Sequence, residues 1–178
     1  MNKTKIVVFS VLIILAFTAL FLINKPEKAP KSEVYELFCS YKGREGFTII
    51  SFPNFLLKQM IEQTDSSSLN SEKLSNQKLT MMIFHEKNET NNTISKDSIN
   101  IKLINFLNNN NFKQFKSKKQ NYGQKNIYSK SFEDKWRESV IIFSGDSSIF
   151  AFNLVNKLDS TELTKLANAL EKERTSFE

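Results

Sequence analysis

Apolar and polar positions divide the chain into one continuous apolar segment and a body in which the two kinds alternate. Residues 6–23 are 18 consecutive positions, all apolar except Ser10 and Thr18. A helix of that length covers about 27 Å at about 1.5 Å per residue, which is enough to span a bilayer core. No small-x-small cleavage site follows the apolar core. Residues 1–24 are therefore predicted to be an uncleaved membrane anchor, with a cleaved secretory signal as the alternative.

The lysines that flank this segment bear on its orientation. Two lysines precede it and three follow it, so counting positive charges favours neither orientation. A basic start before an apolar core is also the plan of an export signal. On that ground the chain is predicted to cross the membrane once, through residues 6–23, with its body on the extracytoplasmic, periplasmic side.

Residues 25–33 form a polar linker with two prolines, and residues 34–174 are predicted to be a single domain. Runs rich in β-branched and aromatic residues predict six strands, and apolar positions at helical spacing predict three helices. In chain order these are strand FTIISF, helix PNFLLKQMIEQ, strand KLTMMIFHE, helix DSINIKLINFLNN, strands NFKQFKSKK, KNIYSKSF, WRESVIIFS and SIFAFNLV, and helix LDSTELTKLANALEKE. The order β-α-β-α-β-β-β-β-α predicts an α+β fold in which helices cover one face of a largely antiparallel sheet.

The same periodicities predict the core of this domain. Strand alternation and the apolar stripes of the helices place five side chains in the interior: Phe106, Ile142, Phe150, Phe152 and Leu166. A single cysteine, Cys39, excludes an internal disulfide, so packing alone must hold the domain together.

Net charge narrows the classes of partner. The chain carries +6, but five lysines and one glutamate at or before Lys31 contribute +4 of it, which leaves +2 on the body. A nucleic-acid-binding module usually carries a strong basic stripe. No nucleic-acid partner is therefore expected.

Several stretches carry a resemblance to a known family. They are YKGREGFTIISFPNFLLKQM, FLNNNNFKQF, NIYSKSF and SVIIFSGDSSIFAFNLVNKLDSTELTKL. Through them, residues 34–170 resemble the domain-of-unknown-function 4252 family, small exported proteins of which many are lipoproteins. The resemblance implies an exported α+β domain with a role at the cell envelope, and it implies no active site. The chain departs from the family pattern in lacking a lipobox cysteine and in having Val155-Asn156-Lys157 where relatives tend to carry a glycine.

The residues that commonly carry chemistry form no recognisable motif. His85 and Cys39 are the only histidine and the only cysteine, and a nucleophile pair would require them in contact. They are too few for a structural zinc site, and no cofactor motif is present, so no cofactor is predicted. The carboxylates Glu36, Glu133 and Asp134 have no evident partner and are interpreted as surface or turn residues.

One basic patch stands out, in the stretch FKQFKSKKQNYGQK. Here Lys113, Lys116, Lys118, Lys119 and Lys125 are interleaved with the aromatic residues Phe112, Phe115 and Tyr122. Two interpretations are open. The four lysines of residues 113–119 can contact an acidic partner, such as a phospholipid headgroup. The favoured interpretation is that they lie on an edge strand and prevent it from pairing with other chains.

Together these patterns predict a membrane-anchored extracytoplasmic domain that binds a protein partner or supports the envelope without catalysis. An alternative from another class is a hydrolase-type enzyme that uses surface carboxylates. A further alternative is a cytoplasmic-facing binder of nucleic acid or acidic lipid.

Overall fold

The domain is built on one six-stranded antiparallel sheet. A computed structural model describes residues 30–53, 55, 56, 59, 79–86, 94–120, 123–132 and 136–174. Three helices have their bounds in these ranges. The elements are α1 Glu33–Ser40, β1 Phe47–Phe52, β2 Leu79–His85, α2 Lys96–Asn109, β3 Lys113–Gln120, β4 Gly123–Ser131, β5 Arg137–Ser144, β6 Ser148–Asn156 and α3 Ser160–Arg174. The predicted α+β fold and antiparallel sheet are confirmed.

The strands lie in the order β1-β2-β6-β5-β4-β3. Strands β3 to β6 follow one another in space as in the chain, and β6 then pairs with β2 in the middle of the sheet. The turn before β4 requires a glycine, because Gly123 has φ of +125° and a Cβ there would lie 1.8 Å from the backbone oxygen of Ser144. This arrangement leaves β1 and β3 as the two edges.

Helix α1 is an element that the hydrophobic pattern did not predict. Ser32 caps it, since the Ser32 hydroxyl accepts a hydrogen bond from the backbone N–H of Tyr35 at 2.9 Å. Val34 and Phe38, four residues apart, are its buried positions. With only eight residues, the helix shows a single i, i+4 pair, which is too short a pattern to detect. Ser32 and Glu33, which the sequence places in the linker, belong to its cap and first turn.

Helices cover both faces of the sheet, so the prediction that they cover one face is wrong. Helix α3 contributes Leu163, Leu166 and Leu170 to one core, together with residues such as Phe150 and Phe152 of β6. Helices α1 and α2 pack on the opposite side, where their apolar residues form a second core with the alternate positions of the same strands. We call these sides the α3 face and the α1/α2 face. Burial on both sides explains why β2, β5 and β6 are buried at nearly every position.

Four of the five predicted core residues are confirmed. Ile142, Phe150, Phe152 and Leu166 are each at most 3% exposed. Phe106 is only partly buried, because the buried stripe of α2 runs through Ile99, Leu103 and Leu107, and Phe106 lies on its flank.

Several predictions fall on residues outside those described. Of the predicted helix over 53–63, Phe55, Leu56 and Gln59 have helical backbone, and the remaining positions of its core face are not described. The predicted anchor over residues 1–24 lies outside the described residues entirely. Within residues 30–174, as far as the structure describes them, no helix is long and apolar enough to cross a membrane.

Candidate functional site

The basic patch lies on β3, the edge strand predicted by its favoured interpretation. Lys113, Lys116, Lys118 and Lys119 are all exposed, and β3 pairs with β4 on one side only. None of the four forms an ion pair with a residue that the structure describes. Charged ammonium groups on an open strand oppose the addition of another strand and so protect the sheet edge from aggregation.

A bulge in β3 determines which side of the sheet each lysine faces. The register with β4 shifts between Gln114 and Lys116, so that Phe115 is the extra residue. In a regular strand without the bulge, Lys113 and Lys116 would face opposite sides, because they are three positions apart and side chains alternate.

With the bulge, three of the lysines share one side. Lys113 lies opposite Ser129, Lys116 opposite Ile127 and Lys118 opposite Lys125. Residues directly opposite each other in an antiparallel pair lie on the same face, and Ile127 belongs to the core under α3. Lys113, Lys116 and Lys118 therefore form a row on the α3 face, which we call the lysine row. Lys119 lies opposite Gln124, on the other face.

The structure separates other members of the predicted patch from the lysine row. Lys125 is 4% exposed, and its ammonium Nζ lies 2.5 Å from Glu171 Oε2 and 2.9 Å from Asn168 Oδ1, both on α3. Phe112 is 4% exposed and belongs to the core on the α1/α2 face. Phe115 is 39% exposed, and Tyr122 lies outside the described residues. Among the described lysines and aromatic residues of the patch, the exposed ones are thus the four lysines and Phe115.

His85 and Cys39 are not brought together. His85 is exposed at the end of β2, and its ring meets the edge of Phe150, a core residue of the α3 face, with ring centroids 5.9 Å apart. Cys39 lies on α1, whose buried residues pack on the other side of the sheet. The sheet therefore stands between the thiol and the imidazole, so these two residues cannot form a nucleophile pair.

The predicted carboxylates give no site either. Glu36 is exposed and pairs with Lys31 at 2.5 Å, in agreement with its interpretation as a surface residue. Glu133 and Asp134 lie outside the described residues. Across the described ranges, no group of three or more His, Cys, Asp or Glu side chains could hold a metal ion.

A buried carboxylate that sequence reasoning missed lies under the start of α1. Glu138, on β5, is fully buried on the α1/α2 face, and its Oε1 accepts hydrogen bonds from the Ser32 hydroxyl at 2.5 Å and from the Val34 N–H at 3.2 Å. Asn153 of β6 donates to the Ser32 hydroxyl oxygen at 2.7 Å. These bonds fasten the first residues of the domain to its two central strands across more than 100 positions of sequence. We call Glu138, Ser32 and Asn153 the junction cluster.

Two buried polar atoms of the junction cluster, Glu138 Oε2 and Asn153 Oδ1, have no hydrogen-bond partner among the residues that the structure describes. Burial raises the pKa of the Glu138 carboxyl above its ordinary value of 4.5, and the nearby charge of Glu33 raises it further, while the bonds from Ser32 and Val34 oppose the rise. Glu33 is itself paired with Lys130 of β4 at 3.0 Å. The cluster is an enclosed tie between helix and sheet, and the carboxylate near it, Glu33, is engaged in the ion pair with Lys130.

A signal for Glu138 exists in the sequence, although a weak one. In WRESVIIFS, Glu138 occupies a position of the same strand face as Val140 and Ile142, so strand alternation alone would have placed it inward. Nothing in the sequence pairs it with Ser32, which is 106 residues away.

Comparison with protein-family models and with curated proteins finds no match for this chain. The resemblance to the domain-of-unknown-function 4252 family therefore stays a prediction.

Proposed function

We propose that the protein is anchored in a membrane by residues 6–23 and presents its α+β body on the extracytoplasmic side as a non-catalytic binding or envelope-associated domain. The observation that carries the proposal is the apolar segment itself. Its 18 positions contain no charged residue, and the polar linker leads from it directly into the fold. Charged side chains are costly inside a bilayer, so such a run is what a spanning helix requires.

The junction cluster suits a domain that is tethered at its first residue. Ser32, where the linker ends, is held by Glu138 and by Asn153 from the two central strands of the sheet. A pull or a rotation at the linker would thus act on the middle of the sheet and not on a fraying end. Lys130 and Glu33 add an ion pair at the same junction.

A non-catalytic role is supported by the way the reactive side chains are distributed. His85 and Cys39 lie on opposite faces of the sheet, and Glu138, a fully buried carboxyl, bonds to the backbone and cap of α1. Catalysis by general acid and base needs two such groups converging on one substrate position. The resemblance to exported proteins of the cell envelope points to the same kind of role, and we include membership of that family in the proposal.

Membrane fractionation tests the anchor. The full chain should stay in the membrane pellet after extraction with alkaline carbonate, and a matched variant that lacks residues 6–23 should move to the supernatant. Protease added to the outside of intact cells with a permeabilised outer layer should degrade the body, which would place it on the extracytoplasmic side. Release of the full chain by carbonate, or protection of the body until the inner membrane is opened, would contradict the proposal.

A further inference from the structure

We propose that the lysine row, Lys113, Lys116 and Lys118, contacts the anionic headgroups of the membrane in which the chain is anchored. The inference rests on the proposed function, because it needs residues 6–23 to hold the body at a membrane surface. It adds a second, electrostatic contact that orients the body by its β3 edge.

The first support is the placement of the three charges on one side. Protection of a sheet edge needs charges along the strand and does not depend on which face they occupy. The bulge at Phe115 nevertheless brings Lys113 to the face of Lys116 and Lys118. The row lies opposite residues 125–129 of β4, and four residue steps at about 3.3 Å make it about 13 Å long. A flat charged surface is the kind of partner that can meet all three ammonium groups at once.

The second support is that nothing in the described part of the chain neutralises the row. Glu171 and Asn168 of helix α3 bind the buried Lys125 of β4. On the neighbouring strand β3, the lysines of the row are exposed. Phe115, 39% exposed between Lys113 and Lys116, adds an apolar ring at the same edge, where an interface between water and lipid suits it.

The third support is the distance from the row to the point where the linker enters the fold. Ser32 bonds to Glu138 on β5, and Glu138 lies opposite Lys130 on β4, next to Ser129, which lies opposite Lys113. Neighbouring strands are about 4.8 Å apart, so β3 lies about 10 Å from β5. The eight residues 24–31 reach at most about 28 Å when fully extended. Ser32 lies on the α1/α2 face and the row on the α3 face, so the linker has to pass around the β3 edge, and its reach exceeds the distance from β5 to that edge. The edge can therefore meet the surface from which the linker emerges.

The tether also decides which partner fits. A body charge of only +2 gives little long-range attraction, so a soluble acidic protein would not be concentrated at the row. A membrane to which the domain is already attached is held near the row by the linker, and a weak contact is then formed at high effective concentration. A single strand of nucleic acid would need aromatic stacking positions, and Phe112 is buried away from the row.

Lysine reactivity in reconstituted vesicles tests the contact. The full chain is inserted into vesicles of phosphatidylcholine alone or of phosphatidylcholine with phosphatidylglycerol, and acetylation by a membrane-impermeant reagent is followed at each lysine by mass spectrometry. On the anionic vesicles, Lys113, Lys116 and Lys118 should be acetylated about threefold to fivefold more slowly than on the neutral ones. The matched internal control is Lys119, exposed on the same strand but on the other face. High salt should remove the difference, because it screens exposed charges.

Equal rates on the two kinds of vesicle, or an equal slowing of Lys119, would overturn the inference. A variant with Lys113, Lys116 and Lys118 all changed to Glu gives a second readout. Its circular dichroism and its acetylation at Lys119 should match those of the parent, and its acetylation at Lys119 should again be equal on the two kinds of vesicle. Alkaline extraction of the same vesicles keeps the two proposals apart. A chain that stays in the pellet without protection of the row refutes the contact alone, whereas a chain that carbonate releases refutes the anchor.

Discussion

Glu138 gives the most informative perturbation of the fold, because it ties α1 to the sheet and its pKa is raised by burial. A glutamate with a raised pKa keeps its proton in the folded state over a pH range in which the unfolded chain has lost it. Its contribution to stability is therefore fully present below about pH 4.5, the ordinary value, and is lost as the pH rises through the folded pKa. The wild-type free energy of unfolding should fall with pH in this window on account of Glu138.

Two variants separate the charge of Glu138 from its hydrogen bonds. Glu138→Gln keeps an acceptor for Ser32 and for the Val34 N–H but does not ionise. The free energy of unfolding of this variant should not show the fall that Glu138 causes. Relative to wild type, the variant should therefore become more stable as the pH rises from 4.5 to 7. Glu138→Ala leaves the Ser32 hydroxyl without its acceptor and should cost about 1–3 kcal/mol near pH 4.5.

Denaturant unfolding of the full chain in detergent measures both effects. The chain has one tryptophan, Trp136, which is 8% exposed just before β5, so its fluorescence reports on opening of the sheet next to Glu138. If the unfolding free energies of wild type and Glu138→Gln change in parallel from pH 4.5 to pH 8, ionisation of Glu138 does not lower the stability of the fold and the prediction is refuted. A gain in wild-type stability relative to the variant over that range would refute it as well.

Two further predictions concern packing and the backbone. Phe152→Ala should destabilise the domain by about 3–5 kcal/mol, because Phe152 is 3% exposed in the core under α3. As a control, Phe115→Ala at an exposed position should change the stability by less than about 1 kcal/mol. Similar losses of stability for the two variants in denaturant unfolding would mean that the facing of β6 is wrong. Gly123→Ala should lower the thermal midpoint much more than Gly43→Ala, since both have positive φ but only at Gly123 would the new Cβ meet the Ser144 backbone. Equal midpoints for the two alanine variants would contradict the close approach at that turn.

Much of the fold could be predicted from local pattern alone. The β-hairpin series from β3 to β6 was readable because each strand is bounded by turn residues and because β-branched and aromatic residues fill it. The edge position of the strand that carries the basic patch was also predicted, since lysines at four of the first seven positions of β3 are typical of an edge strand.

The two-sided cover of the sheet was not predicted, although the sequence contains a sign of it. VIIF in β5 and IFAF in β6 are unbroken apolar runs, and a strand with one wet face would alternate. The prediction of helices on one face rests on the order of the elements, which does not assign a helix to a face. Which helix goes to which face depends on connections that local periodicity does not carry.

The junction cluster and the lysine row could not be predicted for a different reason. The Ser32 to Glu138 bond joins residues 106 positions apart, and no local pattern encodes such a contact. The row depends on one extra residue, Phe115, whose effect on facing appears only when the register of β3 against β4 is known.

We propose above that residues 6–23 stay in the protein and hold it in a membrane. Mass spectrometry of the carbonate-resistant membrane fraction, from cells that express the chain, tests this directly. Peptides that include residues 6–23 should be recovered in that fraction, in amounts equal to peptides of β5 and β6. Recovery of a mature form that begins between Thr18 and Lys31, in the soluble fraction, would contradict it.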